Sequence, residues 1–525
     1  DSFVFSGGAD LVTDFRDRQD KIILDLHLWE GSPPGVASIL SAAVVTSTGL
    51  HIDLGGGNSL DIAGIFDANL LADDILFFCR TVKQNWPRPV ITGAFYGYFF
   101  SCFNRQAAGG HLCLQKVLDS PWIDYLSGPQ AYLPEAAKPG EPYRSRSLLL
   151  SMRLHGKLWL DEMDQQPRRT FAFLGGTKDQ REKHTAALAE NSALLLRNLA
   201  FAHSKGTGMW LYDFGPAGVD INPAAERSNQ HGVMGYWDHP VYHETIRAFK
   251  KMADSTLVLP YKSDADVLFV YDTEPNYYTP SLHPNKDSVS LQLIDFMSLA
   301  AYYTGSVFDA VHLDDLRLVD MSSYKMVVFA NTFVLDSTDC AVIAEKTARA
   351  HLLWCVAPGL SDGNTMDTAF VQQYTGFALR TFPEGGPVSV QLDSAWTGNS
   401  LVEQCKGKNA PLFTLFSEKD GQVRGRFQKS GLPALFSRNE GGRAIWFSAV
   451  PLTRMQTLSC IFQAAGVHRY TTSAEVVYAG GGHVTVHTKK GGNFAVTLKN
   501  QQFVSLSLPA HPCTVILEGH TGKIV

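Results

Sequence analysis

"HGKLWLDEMD", His155 to Asp164, is the stretch on which the reading of this chain turns. A run with β character, Lys157 to Leu160, ends abruptly in Asp161, Glu162 and Asp164, with His155 and Trp159 just ahead of them. A buried strand that delivers carboxylates to one spot beside an aromatic ring fits an α/β fold whose chemistry sits at the C-terminal ends of its strands. Neighbouring side chains of a strand point to opposite faces, so Asp161 and Glu162 are not expected to share a cleft.

Outward from that stretch, short apolar runs alternate with helical patterns over the first ~260 residues, as in a parallel α/β sheet. The β runs are "KIILDLHLW" (21–29), "PVITGAFYGYF" (89–99), "WIDYL" (122–126), "GKLWL" (156–160) and "GMWLYDF" (208–214). Between them, "TAALAENSALLLRNLAFAHSKG" has helical spacing and closes on Lys205-Gly206, a normal helix stop. A second α/β region, of the open-sheet kind, begins near "DADVLFVYD" (264–272) and continues through a helix around 287–303, "YKMVVFAN" (324–331), a helix near 337–350 and "HLLWCVAPG" (351–359). Its segment "LQLIDFMSLAAYY" (291–303) needs cover, internally or from a partner. A helix at "LTRMQTLSCIFQAAG" (452–466) precedes "HVTVHTKK", "NFAVTLKN", "FVSLSLP" and "CTVILEG", which alternate with turns as in a small β-sandwich.

Composition sets limits on function. The 525 residues are 45% hydrophobic and 18% charged, with net charge −6, the profile of a globular protein of two to four domains without the basic stripe of a nucleic-acid binder. No run of 18 or more apolar residues suggests a membrane span, and no signal peptide is expected from the residues at hand, whose start without Met leaves a processed or incomplete N-terminus open. The eight cysteines show neither C-x-x-C nor zinc spacing and read as buried thiols, which tips the compartment slightly toward the cytoplasm over secretion without fixing it. No cofactor or metal is expected. Gly55-Gly56-Gly57 lacks a phosphate-loop context and reads as a turn.

The blocks "GAFYGYFF", "AGGHLCLQKVLDSPWIDYLSGPQAY", "RSLLLSMRLHGKLWLDEMD" and "GMWLYDFGP" resemble, in order, the second half of a clan A glycoside hydrolase barrel. The whole order resembles family 42 β-galactosidases and related trimeric β-mannosidase-like enzymes. That resemblance implies a (β/α)8-type barrel over 1–260 with strands four to eight recognisable and its N-terminal part short or missing, a trimerisation-like α/β domain over 261–466, and a C-terminal β-sandwich over 467–525. It also implies a carbohydrate substrate and a homo-oligomer, with a trimer favoured. "WLDEMD" becomes the end of strand seven, where Glu162 matches the nucleophile of a retaining two-carboxylate mechanism. The alternative for Glu162 is a helix cap or an ion pair with Arg153.

The partner acid belongs at the end of strand four, where the clan carries Asn-Glu. No Asn-Glu precedes Glu162 here, and the candidate is Glu30 of "IILDLHLWEG", against Asp25, Asp53 or an ordinary loop role for Glu30. If that run is strand four, too few residues precede it for three more strand–helix units. The missing strands then lie beyond this chain's start, come from another chain, or are replaced by "SAAVVTSTG" and "GLHIDLGGG". Substrate-binding candidates are Tyr96 and Tyr98 after strand five, His111 after "AAGG", Trp159 as a sugar platform, Arg153 and His155 as groups orienting Glu162, and Trp210 and Asp213 on strand eight; each also has a purely structural alternative. The function expected is hydrolysis of β-linked glycosides, β-galactosidase-like, with a β-mannosidase or other exo-glycosidase as the alternative. The non-enzyme alternative is an inactive barrel that binds carbohydrate or serves as a structural subunit.

Overall fold

The computed structural model describes residues 2–12, 21–28, 38–39, 43–46, 49–63, 68–102, 106, 109–131, 138–164, 178–212, 237, 239–278, 288–382, 387–407, 411–473 and 475–525. The chain divides into two compact units, 1–78 and 79–525.

In the first unit, β1 (Ser2–Phe5) pairs in parallel with β3 (Lys21–Leu24). A four-stranded sheet runs β2 (Ala9–Val12), β6 (Asn58–Ala63), β5 (Gly49–Gly55), β4 (Val44–Thr46). Phe5, Val12, Ile52, Leu54, Leu60 and Ile62 form its core. The glycine triple is the turn between β5 and β6, with all three φ values positive, a conformation only glycine adopts cheaply. The run 21–29 is therefore a four-residue strand followed by a 3-10 turn, Leu26–Leu28. Its ladder partner is β1. The expected strands around 44–55 exist and pair with each other.

The second unit opens with a four-stranded parallel sheet of β7 (Gly93–Phe95), β8 (Tyr125–Pro129), β9 (Leu158–Met163) and β10 (Gly208–Leu211), ordered as in the chain. Its connections include α1 (Leu149–Leu154) and α2 (Lys178–Lys205), the latter stopped by Gly206 at φ 66°. α3 (Pro240–Thr256) follows, with His239 accepting the Val241 N–H and proline in its first turn. Along β9, Trp159, Asp161 and Met163 are buried, while Leu158, Leu160 and Glu162 are not. Met163 packs with Leu195 of α2 and Tyr242 of α3, so the buried face is the helix-covered one.

A nine-stranded sheet comes next. Its parallel part holds β11 (Val267–Tyr271), β12 (Phe308–His312), β13 (Met326–Phe329) and β14 (His351–Cys355), and the strand Arg443–Ser448 extends it beside β14. Further strands are β15 (Leu379–Phe382), β16 (Val388–Leu392), β17 (Val402–Cys405), β18 (Leu412–Leu415), β19 (Gln422–Phe427), β20 (Pro433–Glu440) and β21 (Arg443–Ser448). The sheet order is β12-β11-β13-β14-β21-β20-β19-β16-β17, with β15 and β18 pairing apart. The unbroken apolar runs of β11 and β13 are buried throughout, as parallel strands covered on both faces must be. α4 (Pro275–Tyr278) follows β11 directly. The segment 291–303 packs internally: Leu291, Leu293, Ile294, Met297 and Ala301 are buried within the chain, which answers the expectation of a partner's cover for it.

At the C-terminal end, β22 (Val476–Gly480), β23 (His483–Thr488) and β26 (Cys513–Glu518) form one antiparallel sheet, and β24 (Gly492–Thr497) pairs with β25 (Phe503–Leu508). α2 packs against β22, β23 and β26.

Candidate active site

The register of the four-stranded sheet puts the site together. Glu162 on β9 is flanked by Pro129 of β8 and Trp210 of β10, one same-face rung beyond Ser127 and Leu160, and Phe95 of β7 pairs with Ser127. Paired residues of a parallel ladder present side chains to the same face. Glu162 thus shares the uncovered face with Trp210 and Phe95, whose rings stand edge to face 6.4 Å apart. The Trp210 indole N–H donates to Ser127 Oγ at 3.3 Å. The main chain around Glu162 is fixed by Gln130 N–H donating to its carbonyl at 3.2 Å.

Past the end of β7, Gly97 at φ 83° turns the chain, and the Tyr98 ring lies close over Gly128 of β8, next to Trp159. His111 stacks on Tyr98 at 4.2 Å between ring centroids and lies tilted 5.2 Å from Tyr96. Its loop is anchored by Cys113 N–H donating to Tyr96 Oη at 3.1 Å. The Arg146 guanidinium lies over the other ring of the stack, 5.2 Å from the Tyr98 centroid, a cation–π distance.

Electrostatics follow from this enclosure. Burial holds the Glu162 carboxyl above its ordinary range, and the Asp164 charge adds to the shift. Burial pushes the Tyr98 hydroxyl up to about 12, partly countered by Arg146 and reinforced by Glu162. Burial and Arg146 lower His111 to about 4, so its imidazole is neutral at physiological pH. The buried His111 Nδ1 carries no hydrogen bond among the described residues.

Three expected site residues sit elsewhere. Trp159 is fully buried on the covered face and gives its indole N–H to Asp161 Oδ1 at 2.9 Å, so it cannot be a sugar platform. Asp161, also accepting from Ser145, is lifted by burial to about 7. Arg153 and His155 precede β9, beyond its opposite end, with about 13 Å of strand between that end and Glu162. Arg153 Nη1 donates to the Lys205 carbonyl at 2.8 Å, and its guanidinium covers Tyr261. His155 is held by Asp315 at 2.7 Å and Asp119 at 3.2 Å. Neither can orient Glu162, and the Glu162–Arg153 ion pair is excluded. Glu30 and Asp213 lie outside the described residues. Of the alternative acids, Asp25 pairs with His27 at 2.6 Å and Asp53 accepts the Gly55 N–H at 2.9 Å within its turn. Arg146 and Phe95 escaped the sequence reading. Alternation from Gly93 predicts Phe95's face, whereas Arg146 enters only through a tertiary turn.

Among the described residues no set of three or more His, Cys, Asp or Glu side chains could hold a metal ion, and no helix is long and apolar enough to cross a membrane. A cleft of about 370 Å³ opens in the nine-stranded region between residues such as Cys340, Tyr374 and Ile445. It is remote from this chemistry, and its arginines are committed: Arg443 to the Thr347 carbonyl at 2.7 Å and Arg438 to Glu440 at 2.7 Å.

The fold, an α/β arrangement with parallel sheets, can be set beside solved structures. Among solved structures the chain is similar to the β-galactosidase from Rahnella sp. R3, at 11% identity and a TM-score of 0.52 over 86% of this chain and 67% of that one. Others are Gan42B, a GH42 β-galactosidase from G. stearothermophilus (11% identity, 95% and 88% coverage, TM-score 0.49), and the exo-β-1,4-mannosidase Op5Man5 from Opitutaceae bacterium strain TAV5 (11%, 77% and 70%, 0.48). The likeness is one of fold. No family profile and no curated protein matches the sequence.

Proposed function

We propose that this chain is a retaining glycosidase acting on β-linked glycosides, β-galactosidase-like in its substrate, with Glu162 as nucleophile. One observation carries the reading: Glu162 stands half-buried at the C-terminal end of β9, on the uncovered face with Trp210 and Phe95. In this reading β7 to β10 are the second half of an eight-stranded barrel, the nine-stranded sheet is the assembly domain of a homotrimer, and β22 to β26 form the C-terminal sandwich.

The chemistry follows from the positions. The Glu162 carboxylate attacks the anomeric carbon as the leaving oxygen takes a proton from the second carboxyl, and water then opens the glycosyl ester with that group acting as base. Glu30 holds the second role in the proposal. Phenols of low pKa leave without a proton, so Glu30→Gln still forms the glycosyl ester from a dinitrophenyl glycoside in a burst and turns it over fast only when azide replaces the base-activated water, whereas a methyl glycoside does not react. Tyr98 Oη and neutral His111 hydrogen-bond the sugar, and Trp210 packs on its apolar face, with Asp213 as a further hydroxyl contact.

The test is a screen of aryl β-glycosides of galactose, mannose, glucose and arabinose with the wild type and Glu162→Gln. Turnover of one glycone by the wild type, and its loss in the variant with the melting temperature kept, supports the proposal. Near-normal kcat in the variant refutes the assignment. One observation favours a second reading, a carbohydrate-binding barrel without turnover. The carboxylate that acts on Glu162 among the described residues is Asp164, from the same strand end rather than a facing strand.

A further inference from the structure

The cleft of about 370 Å³ in the nine-stranded region has three walls. β14 and β21 supply Leu352, Trp354 and Ile445, all buried. α5 (Ser337–Lys346) supplies Cys340, Ile343 and Ala344, the last exposed at the surface. The end of α6 (Thr368–Thr375) supplies Tyr374. That ring is fixed at two points: its hydroxyl donates to the Leu335 carbonyl at 3.2 Å, and it packs on Gly359, where a β-carbon would run into it. The charged lining groups are Arg438, Arg443 and Glu440. Arg438 donates to the Gly376 carbonyl and, at 2.7 Å, to Glu440 Oε2, and its guanidinium covers the Phe377 ring at 4.8 Å. Arg443 gives Nη1 to the Thr347 carbonyl, and its Nη2 stands 3.8 Å from Glu440 Oε1, an ion-pair separation too long for a hydrogen bond. Two guanidinium charges therefore share one carboxylate. Burial pushes the Cys340 thiol up to about 11, so that wall adds no negative charge at physiological pH.

We propose that this cleft is a binding site for a small amphipathic carboxylate, its apolar body against Trp354 and Ile445 and its anionic group at Arg443. The proposal is independent of the role of Glu162. Its volume falls in the range of small-molecule pockets, roughly 300–1,000 Å³, and its make-up matches theirs: apolar walls with a few polar groups that set orientation. Interiors otherwise leave few voids larger than a water molecule, so an apolar-floored space of this size lacks packing partners until something fills it. The surplus positive charge selects the head group. A guanidinium takes a carboxylate through paired N–H donors, which an alcohol cannot match and an ammonium opposes. The bonds from Arg438 to the Gly376 carbonyl and from Arg443 to the Thr347 carbonyl hold both side chains in place beforehand, which lowers the ordering cost of binding.

The experiment is equilibrium dialysis of the full chain against three probes that share one ring system: naphthalene-2-carboxylate, the neutral 2-naphthylmethanol and the cationic 2-naphthylmethylammonium. The carboxylate is expected to bind once per chain, about tenfold tighter than the alcohol, with the ammonium weakest. Arg443→Gln is expected to bring the carboxylate down to the alcohol's affinity and to leave the alcohol unchanged. Ala344→Trp fills the cleft from an exposed helix position and is expected to abolish binding of all three probes. It keeps the test decisive if loss of the Arg443–Thr347 bond unfolds the chain. Absence of saturable carboxylate binding at millimolar concentration would overturn the proposal, as would equal affinity for the three head groups or binding that survives Ala344→Trp. Affinity that rises as the protein is diluted would mark the cleft as the seat of a second copy, and would overturn it too.

Discussion

The nine-stranded sheet and the four-stranded sheet of the same unit treat their faces differently. In the first, β11 and β13 bury every side chain, and Phe329 stacks on Trp354 at 4.2 Å. In the second, one face is sealed by α2 and α3, while the other leaves Leu158 and Phe95 44% and 52% exposed and Glu162 half-buried. The first arrangement stores stability; the second leaves a carboxylate and aromatic rings accessible. The same parallel ladder serves both, so the difference lies in what covers each face.

Substitutions can break or sharpen this contrast. Phe329→Ala, in the sealed sheet, is expected to cost about 3–5 kcal/mol in denaturant unfolding, because it removes a stacked ring from a site that cannot collapse. Asp161→Asn tests the sealed face of the open sheet. Asp161 titrates at about 7 in the fold against about 3.9 unfolded, so its favourable contribution is full below pH ~4 and is lost as pH rises through ~7. The wild type is expected to lose up to about 4 kcal/mol between pH 4 and pH 8 from this group, and the Asn variant to show a flatter profile by urea titration at each pH.

His203 of α2 works in the other direction. It meets His483 of β23 at 3.1 Å, and burial and that neighbour lower it to about 4. A depressed folded pKa gives stability present above pH ~6.5 and lost as pH falls toward 4. His203→Gln is expected to remove part of the acid loss, about 2 kcal/mol at pH 4, measured by melting across that range. Leu158→Ala, on the uncovered face, is expected to change stability by only about 0.5 kcal/mol. A cost near that of Phe329→Ala would show the face to be covered and would erase the contrast.

What the sequence disclosed follows the same division. Continuous apolar runs such as "VLFVY" and "MVVF" name their strands, because burial on both faces leaves one kind of residue. The expected helix around 287–303 forms, but its Gln292–Phe296 turn is a π-helix. Asp295 there accepts the Ser101 N–H at 2.8 Å from a distant loop, a tertiary bond that no local pattern announces. "PVITGAFYGYF" gives a ladder only at Gly93–Phe95, since Gly97 turns the chain and the Phe99 N–H donates to the Arg146 carbonyl. For the site, strand alternation separated Glu162 from Asp161 correctly. The same alternation, applied to Trp159, puts it on the sealed face. Sequence proximity alone suggested Arg153 and His155, which belong to the far end of the strand.

The central claim is that Glu162 bonds to the sugar during turnover. An activated 2-deoxy-2-fluoro β-glycoside of the preferred glycone tests it most directly, because the fluorine slows release of a glycosyl ester more than its formation. Mass spectrometry of the wild-type protein after incubation should show one added glycosyl group, on the peptide containing Glu162, and Glu162→Gln should take up none. A protein that hydrolyses the parent aryl glycoside yet carries the label on another carboxylate, or none at all, would contradict the account.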